Sequence, residues 1–251
     1  MLLAVTALLV FGRIGGLLVV LPVFSAEGVP RWIGVFAALA LALLIGPLVP
    51  APPEGALAST LTLGLAGEIG FGMLFGGIVR AMFASVTMGA ETMSTQTGLA
   101  MAVVFDPLQR SQEPLLGTLA SWLAGLAFLA ANLHLLCIDI VARSFHEVPP
   151  GAVGMPVDGA MAMGHTVGTA VILGAQFAAP VIALVMLINV FMALLIKLAP
   201  RMNVFFSIGM TASNGVGLIV VMLALPWVLL AHGDVVAQSV VTATTAMVGA
   251  P

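Results

Sequence analysis

The 251-residue chain is 61% hydrophobic and only 7% charged, with a formal net charge of −3. So few ionised groups argue against a nucleic-acid partner, because phosphate recognition needs clustered positive charge. The single cysteine permits no internal disulfide, and the four scattered histidines show no metal-ligand spacing, so neither a metal nor a cofactor is predicted. This composition is typical of an integral membrane protein, since an apolar run of about 20 residues can cross a bilayer.

Apolar segments separated by turn-forming residues predict an all-α fold of membrane-type helical hairpins. The predicted segments are Met1–Phe24, Trp32–Val49, Leu57–Phe83, Leu115–Val141, His165–Ala199 and Phe205–Ala231. Prolines within or beside these segments indicate kinked or broken helices at Pro22, Pro180, Pro200 and Pro226. The loops carry too few Lys and Arg residues for the positive-inside rule to orient the chain. The polar connection Arg143–Gly164 is the best candidate for a domain boundary.

Six of the 17 charged residues lie within or near the apolar segments. A charge at membrane depth costs about 3 kcal/mol even on the lenient insertion scale, so it needs a partner, a hydrated cavity or a protein neighbour. We therefore expect these helices to bury polar groups against something other than lipid. The charges concerned are Arg13, Glu68, Arg80, Glu91, Asp139 and Lys197.

A row of residues spaced four apart in the third segment combines glycines with two charges, and such residues share one helix face. Small residues in rows let a neighbouring backbone approach closely. Twelve helical residues separate Glu68 from Arg80 by about 18 Å, so these two cannot pair directly. Generic packing explains the glycines but not the charges, so a subunit interface is predicted. It comprises Arg13, which lies between Gly12 and Gly16, with Gly64, Glu68, Gly72, Gly76 and Arg80.

The stretch Ala84–Gly98 is the least lipid-compatible part of the middle of the chain. Its Ser and Thr hydroxyls can bond back to helical carbonyls, but a carboxylate such as Glu91 cannot be hidden in that way. Glu91, Ser94 and Thr95 follow helical spacing and so share one face. We expect this polar stripe to face a hydrated cavity or a seam with partner chains.

A short apolar piece follows, Leu99–Phe105, which as helix covers about 10 Å and cannot span a bilayer. Pro107 disfavours helix at the preceding residue and fixes a break there. The piece is either interior packing or a re-entrant loop, and we predict a pore plug, because a narrow apolar ring excludes ions by dewetting. The predicted plug residues are Gly98 as hinge, then Met101, Val103, Val104, Phe105, Asp106 and Pro107.

Near the end of the chain, charges beside a proline predict the turn of a helical hairpin. Proline resists helix continuation, and the flanking charges prefer water or lipid headgroups. The predicted turn residues are Lys197, Pro200, Arg201 and Asn203.

An ordered set of residues, spread over positions 8–231, resembles the FliR/SctT family of type III export-gate subunits. No single motif in the set is specific to this family, but the order in which the residues occur along the chain is specific. The matching residues are Arg13, Pro22, Val29-Pro30, Glu91, Gly98, Phe105-Asp106-Pro107, Phe128-Leu129, His134, Ala179-Pro180, Ala199-Pro200, Asn203, Phe205 and Gly209. The Phe-Asp-Pro form resembles the flagellar branch more than the injectisome branch. Leu133 and Gly209-Met210-Thr211 depart from the pattern, since Gly and a Gly-Phe-Pro-like element are usual there.

The resemblance implies a FliP-like part, residues 1–160, fused to a FliQ-like C-terminal hairpin, residues 161–251. It further implies a non-enzymatic subunit of the bacterial inner membrane, assembled with FliP-like and FliQ-like subunits and wrapped by an FlhB-like one. That assembly would form a closed conduit for unfolded export substrates. Its apolar helices would then be lifted largely out of the bilayer plane.

Two other functions compete with this one. A secondary transporter would bind a coupling ion at a midplane carboxylate such as Glu68 or Glu91, although the halves show no inverted repeat. An intramembrane enzyme would need an aspartyl or serine–histidine pair. The candidate groups Asp106, Asp139, Ser121, Ser144 and His146 lack any supporting motif.

Overall fold

The computed structural model describes residues 2–25, 28–50, 61–98, 115–151 and 157–198, with isolated positions at 215, 218, 219, 222, 223, 238 and 241. The regular structure of these residues is helical, without strands, which confirms the all-α prediction. The helices are α1 Leu2–Val20, α2 Arg31–Ile45, α3 Leu61–Gln96, α4 Leu115–Ala130, α5 Leu133–Glu147 and α6 Val157–Leu198. A 3-10 turn, Gly46–Leu48, extends α2.

In the part of the chain that the structure describes, four helices are long and apolar enough to cross a membrane: α1, α2 with its 3-10 turn, α3 and α6. Helices α4 and α5 together make a fifth candidate span, bent by 62° at the break between them. With 36 and 42 residues, α3 and α6 extend for about 54 and 63 Å, well beyond the hydrocarbon thickness of about 30 Å. Both are therefore longer than a bilayer crossing requires.

The polar stretch at residues 84–98 does not interrupt the third predicted segment, because α3 continues through it to Gln96. The hydroxyl of Thr92 donates to the Met88 carbonyl at 2.7 Å, and that of Thr95 donates to the Glu91 carbonyl at 2.9 Å. Such bonds satisfy a hydroxyl inside a helix without help from water. The predicted end at Phe83 is therefore wrong.

The prediction of one continuous segment over Leu115–Val141 is also wrong, because the chain breaks between α4 and α5. Asn132 has a left-handed backbone with φ of 55°, a conformation that asparagine tolerates better than most residues do. Its carbonyl accepts hydrogen bonds from the amides of Leu135 and Leu136, which begins the first turn of α5.

Helix α6 begins before the predicted start at His165 and continues through Pro180. The predicted boundary between residues 160 and 161 therefore falls inside α6, and the fused two-part organisation remains a prediction. The described residues form two compact units, each built from separate segments of the chain. Unit 1 holds α1, α2, α3 up to Met82, α5 and α6 up to Gly168. Unit 2 holds α3 from Phe83, most of α4 and α6 from Thr169.

In unit 1, α1 and α3 lie side by side and run parallel. A Cβ atom on Gly12 would meet Leu65 and Glu68, whereas one on Gly76 would meet Leu17 and Val20. Helix α2 packs on α1 in the opposite direction, since a Cβ on Gly46 would lie 3.7 Å from the Cα of Ala7. The unit 1 core includes Leu9, Val10, Ile14, Leu17, Phe71, Phe75, Ile78, Val79, Val141 and Phe145.

In unit 2, α3 and α6 approach each other through glycines. A Cβ on Gly174 would lie 2.8 Å from the Ser85 carbonyl oxygen, and one on Gly89 would lie 2.9 Å from the Gly174 oxygen. This close approach places the backbones almost in contact. The core around it includes Val86, Ala90, Met93, Ala120, Phe177, Val181 and Val185.

Candidate functional site

A buried ion pair joins α1 to α3 in unit 1. Arg13 is 1% exposed and Glu68 3% exposed. The Arg13 Nε donates to Glu68 Oε2 at 2.5 Å, and Nη2 donates to Oε1 at 3.1 Å, so the pair is bidentate. Bidentate arginine–carboxylate pairs are among the stronger hydrogen-bonded interactions in proteins.

The Arg13 guanidinium is also held by two phenylalanines. Its Cζ lies 4.6 Å from the ring centroid of Phe71 and 4.1 Å from that of Phe145. Because an aromatic face attracts a cation, these contacts add to the ion pair, the more so where water is absent. The remaining donor, Nη1, reaches the Ser144 hydroxyl at 2.9 Å, and that hydroxyl in turn donates to the Val141 carbonyl at 2.7 Å.

The same pair fixes the turn that follows α5. Arg13 Nη2 donates to the Val148 carbonyl at 3.1 Å, and the Gly151 amide donates to Glu68 Oε1 at 2.9 Å. Gly151 has φ of 78°, in the region that favours glycine, and it packs close to Gly64. Helices α1, α3 and α5 and the turn at 148–151, all in unit 1, therefore meet at one charge pair, which we call the Arg13–Glu68 cluster.

Glycines line the contact between α1 and α3 on either side of this cluster. A Cβ on Gly72 would overlap the Arg13 carbonyl oxygen and lie 2.9 Å from the Leu17 amide nitrogen. A Cβ on Gly76 would lie 2.8 Å from the Leu17 carbonyl oxygen, and one on Gly16 would overlap that of Ile69. The two backbones therefore touch, as small-residue rows permit.

These contacts correct the prediction of a subunit interface. Arg13, Glu68, Gly72 and Gly76 are buried by their own chain, so that face is not available to a partner, and Gly64 is covered by the turn at Gly151. The reason is that α1 of the same chain supplies both the opposite charge, Arg13, and a matching row of glycines, so α1 covers this face of α3. Arg80 differs: it is exposed, and its Nη1 donates to the Ser25 hydroxyl at 3.2 Å.

The predicted polar stripe is divided by the fold of unit 2. Glu91 and Thr95 are exposed, whereas Ser94 is fully buried. Within the described part of the chain, the Ser94 hydroxyl has no hydrogen-bond partner. The Glu91 side chain lies against α4, where a Cβ on Gly117 would be 3.0 Å from its Cγ. Glu91, Thr95 and Gln96 thus form an exposed polar surface near the end of α3.

The predicted plug and hairpin turn lie mostly outside the described residues. Gly98 is described: its φ is 78° and its amide donates to the Thr95 carbonyl at 3.2 Å, so it ends α3 as a left-handed glycine. Lys197 is exposed in the last turn of α6. The other predicted residues, at 101–107, 200, 201 and 203, remain predictions.

The transporter alternative gains no support from the Arg13–Glu68 cluster. Both Glu68 oxygens accept hydrogen bonds from Arg13, and one of them also accepts a hydrogen bond from the Gly151 amide. The carboxylate is therefore already paired within the chain. Asp139 pairs with Arg143 at 2.9 Å on the surface of α5, with side chains 51% and 78% exposed. No cluster of three or more potential metal ligands occurs within the described ranges.

The sequence analysis did not predict the pairing of Arg13 with Glu68. The two residues lie 55 positions apart, and the spacing within one helix does not show which neighbour it meets. A signal was nevertheless present: each residue lies in a glycine row, and the two charges are opposite. Such rows on two apolar helices indicate helix–helix contact as readily within a chain as between chains.

These features define an all-α integral membrane protein that buries a charge pair among its own helices. The chain belongs to the bacterial export proteins, family 1, because the model of that family matches residues 4–239. The resemblance to the FliR family is thereby confirmed.

Several relatives carry the name flagellar biosynthetic protein FliR. The protein from Caulobacter vibrioides is 32% identical over 205 residues, covering 80% of this chain and 80% of the relative. Those from Escherichia coli and Bacillus subtilis are 27% and 28% identical, covering 85% and 79% of this chain and 82% and 78% of the relatives.

Proposed function

We propose that the chain is a non-enzymatic subunit of the flagellar protein export gate, located in the bacterial inner membrane, where it forms part of a closed conduit for unfolded substrate proteins. The observation that carries this proposal is the exposed polar surface of Glu91, Thr95 and Gln96 at the C-terminal end of α3. Polar groups at such a position suit a water-filled path better than lipid. The names of the relatives support the flagellar assignment.

The proposed partners are FliP-like, FliQ-like and FlhB-like membrane subunits. The outward face of α6 in unit 2 supports protein partners, because it combines small residues with amides: Gln176, Ala179, Ala183 and Asn189 are all exposed. In membranes, small residues and hydrogen-bonding amides are typical of helix–helix contacts. Arg80 remains proposed as a polar contact with a partner subunit. The glycine row of α3 is no longer proposed as such a contact.

Residues 98–107 are proposed to form the plug of the conduit, beginning at the left-handed Gly98 that ends α3. Deleting Leu99–Val104 is expected to leave an assembled gate that leaks ions, because the apolar ring that excludes them by dewetting is lost. The measurement is ion uptake into cells whose mutant complex is intact on native gels. The matched control is a deletion of equal length at residues 51–56, a stretch whose prolines and glycine predict a turn.

Each of the three outcomes of this experiment is informative. Leakage with the first deletion and none with the second supports the plug and the conduit together. An intact complex that does not leak would contradict the plug. Loss of assembly with the first deletion alone would instead assign Leu99–Val104 to interior packing.

A further inference from the structure

One buried hydroxyl in the second half of α3 differs from its neighbours. Four threonines there donate their hydroxyl hydrogens to carbonyls three or four residues earlier, over distances of 2.7 to 3.2 Å: Thr87, Thr92, Thr95 and Thr97. Ser94 is 0% exposed, yet in the part of the chain that the structure describes its hydroxyl has no hydrogen-bond partner. Since the large majority of buried hydroxyls in native proteins are paired, this one calls for a physical reason.

Glu91 supplies an acceptor on the turn before Ser94. Residues three apart on a helix are neighbours, so the two side chains occupy adjacent parts of the surface of α3. The backbone carbonyl of Glu91 already accepts the Thr95 hydroxyl at 2.9 Å, which leaves the carboxylate as the other acceptor of this residue. The Glu91 side chain is exposed, whereas Ser94 is fully covered. The carboxylate therefore cannot reach the hydroxyl unless the groups that cover Ser94 move.

Helix α4 packs against this part of α3. A Cβ on Gly117 would lie 3.0 Å from Glu91 Cγ and 3.5 Å from Oε1, so the Glu91 side chain lies along α4. Gly117, Ala120 and Ala124 are buried and share one face of α4, and such small residues let two helices lie close together. Ser94 is about 60° around α3 from Glu91 and borders the same contact. We call the contact of Glu91 and Ser94 with this face of α4 the α3–α4 seam.

The closed seam keeps a donor and an acceptor of neighbouring positions apart. A buried hydroxyl without a partner destabilises the arrangement that buries it. A hydroxyl that donates to a carboxylate forms a stronger hydrogen bond than one that donates to a neutral group. Movement of α4 away from Glu91 would let the hydroxyl of Ser94 and the carboxylate meet. The Ser94 hydroxyl therefore favours an open seam over the closed one.

We propose that the α3–α4 seam has a second, open arrangement in which the Ser94 hydroxyl donates to the Glu91 carboxylate, so that Ser94 determines how readily the seam opens. Two arrangements that differ in the pairing of one polar group change in relative population when that group is removed. The regulatory part of this inference rests on the proposed function, because Glu91 belongs to the exposed surface assigned to the conduit. Opening of the seam is then expected to accompany the passage of a substrate.

Hydrogen–deuterium exchange of the α4 amides, measured by mass spectrometry on the full chain with any subunits that accompany it, tests the open arrangement. Ser94→Ala is expected to slow this exchange about tenfold, because removing an unpaired buried hydroxyl stabilises the closed seam. Thr92→Val is the matched control: it removes a hydroxyl that is bonded within α3 at 2.7 Å in either arrangement, so exchange of α4 is expected to stay unchanged. Unchanged or faster exchange in Ser94→Ala would overturn the proposal. A lower unfolding temperature of that variant would do the same, since the hydroxyl would then already be paired.

A double-mutant cycle tests the pairing with Glu91. Glu91→Gln is expected to slow the exchange of α4 as well, because a neutral amide accepts a weaker hydrogen bond than a carboxylate does. Ser94→Ala combined with Glu91→Gln is expected to slow it no further than Ser94→Ala alone, whereas additive effects would contradict the pairing.

Secretion of a flagellar substrate by cells that carry Ser94→Ala separates this inference from the proposed function. Slower exchange of α4 together with reduced secretion supports both the seam and its part in the conduit. Slower exchange with normal secretion retains the seam and contradicts its part in the conduit. Reduced secretion without slower exchange contradicts the seam.

Discussion

Glu68→Ala is expected to lower the free energy of unfolding by about 3–5 kcal/mol, because it leaves the Arg13 guanidinium buried without its counter-charge. Arg13 is 1% exposed and cannot turn towards water without opening the contact between α1 and α3. The Gly151 amide loses its acceptor in the same step, although the bond from Arg13 to the Val148 carbonyl does not involve Glu68. The thermal unfolding temperature in detergent and the steady-state amount of chain in the membrane measure the effect.

Two further variants separate the charge from the packing. Arg13→Met with Glu68→Met is expected to recover most of the lost stability, because replacing a buried pair by apolar groups of similar volume is often nearly neutral. Methionine also suits the space between Phe71 and Phe145. Asp139→Ala is the surface control, since it removes an exposed pair that contributes about 0.5 kcal/mol or less. If Glu68→Ala proved as mild as Asp139→Ala, the cluster would not stabilise unit 1.

Gly72→Ala is expected to cost about 3 kcal/mol or more, at or beyond the upper end of ordinary overpacking. Its Cβ would overlap the Arg13 carbonyl oxygen, and a backbone atom cannot rotate away as a side chain can. Helices α1 and α3 must separate, which also lengthens the Arg13–Glu68 bonds. The chain itself, and not only its assembly with partners, is destabilised. The measurement is the unfolding temperature of the single chain in detergent.

Gly67→Ala on the same helix is the matched control for this substitution. No atom lies within 4 Å of the position that its Cβ would occupy, so the methyl group enters open space. Alanine is favoured over glycine in a helix by about 1 kcal/mol, and the control is therefore expected to be neutral or slightly stabilising. Equal behaviour of the two variants would show that the glycine contact between α1 and α3 is not as close as described.

Composition and segment length were sufficient to predict the class of fold, because they constrain a membrane chain strongly. The family was predicted from the resemblance of an ordered set of residues over positions 8–231. The sequence analysis also predicted that Arg13 and Glu68 face protein, since each lies among glycines. It assigned the contact to a partner subunit, whereas the two residues contact each other within the same chain. The periodicity of one helix shows which residues share a face but not which neighbour covers it, so a contact between residues 55 positions apart could not be derived.

The errors in helix boundaries have local causes. Hydroxyl groups at Thr92 and Thr95 bond back to their own helix, so a stretch that reads as polar remains helical in α3. The break at Asn132 was obscured by the apolar residues around it, although asparagine is one of the residues that most readily adopts a left-handed backbone. The start of α6 was placed too late, because the whole stretch Arg143–Gly164 was interpreted as one polar connection, whereas the helix begins at Val157.

The subunit composition of the complex that purifies with the tagged full-length chain from its own membrane tests the central claim most directly. If the chain is a gate subunit, it is expected to co-purify with unlike hydrophobic proteins, FliP-like and FliQ-like, in a complex that Glu68→Ala depletes. The Asp139→Ala variant should retain that complex, because it leaves the buried cluster intact. Recovery of the chain alone, or solely with copies of itself, under detergent conditions that preserve other membrane complexes would contradict the account.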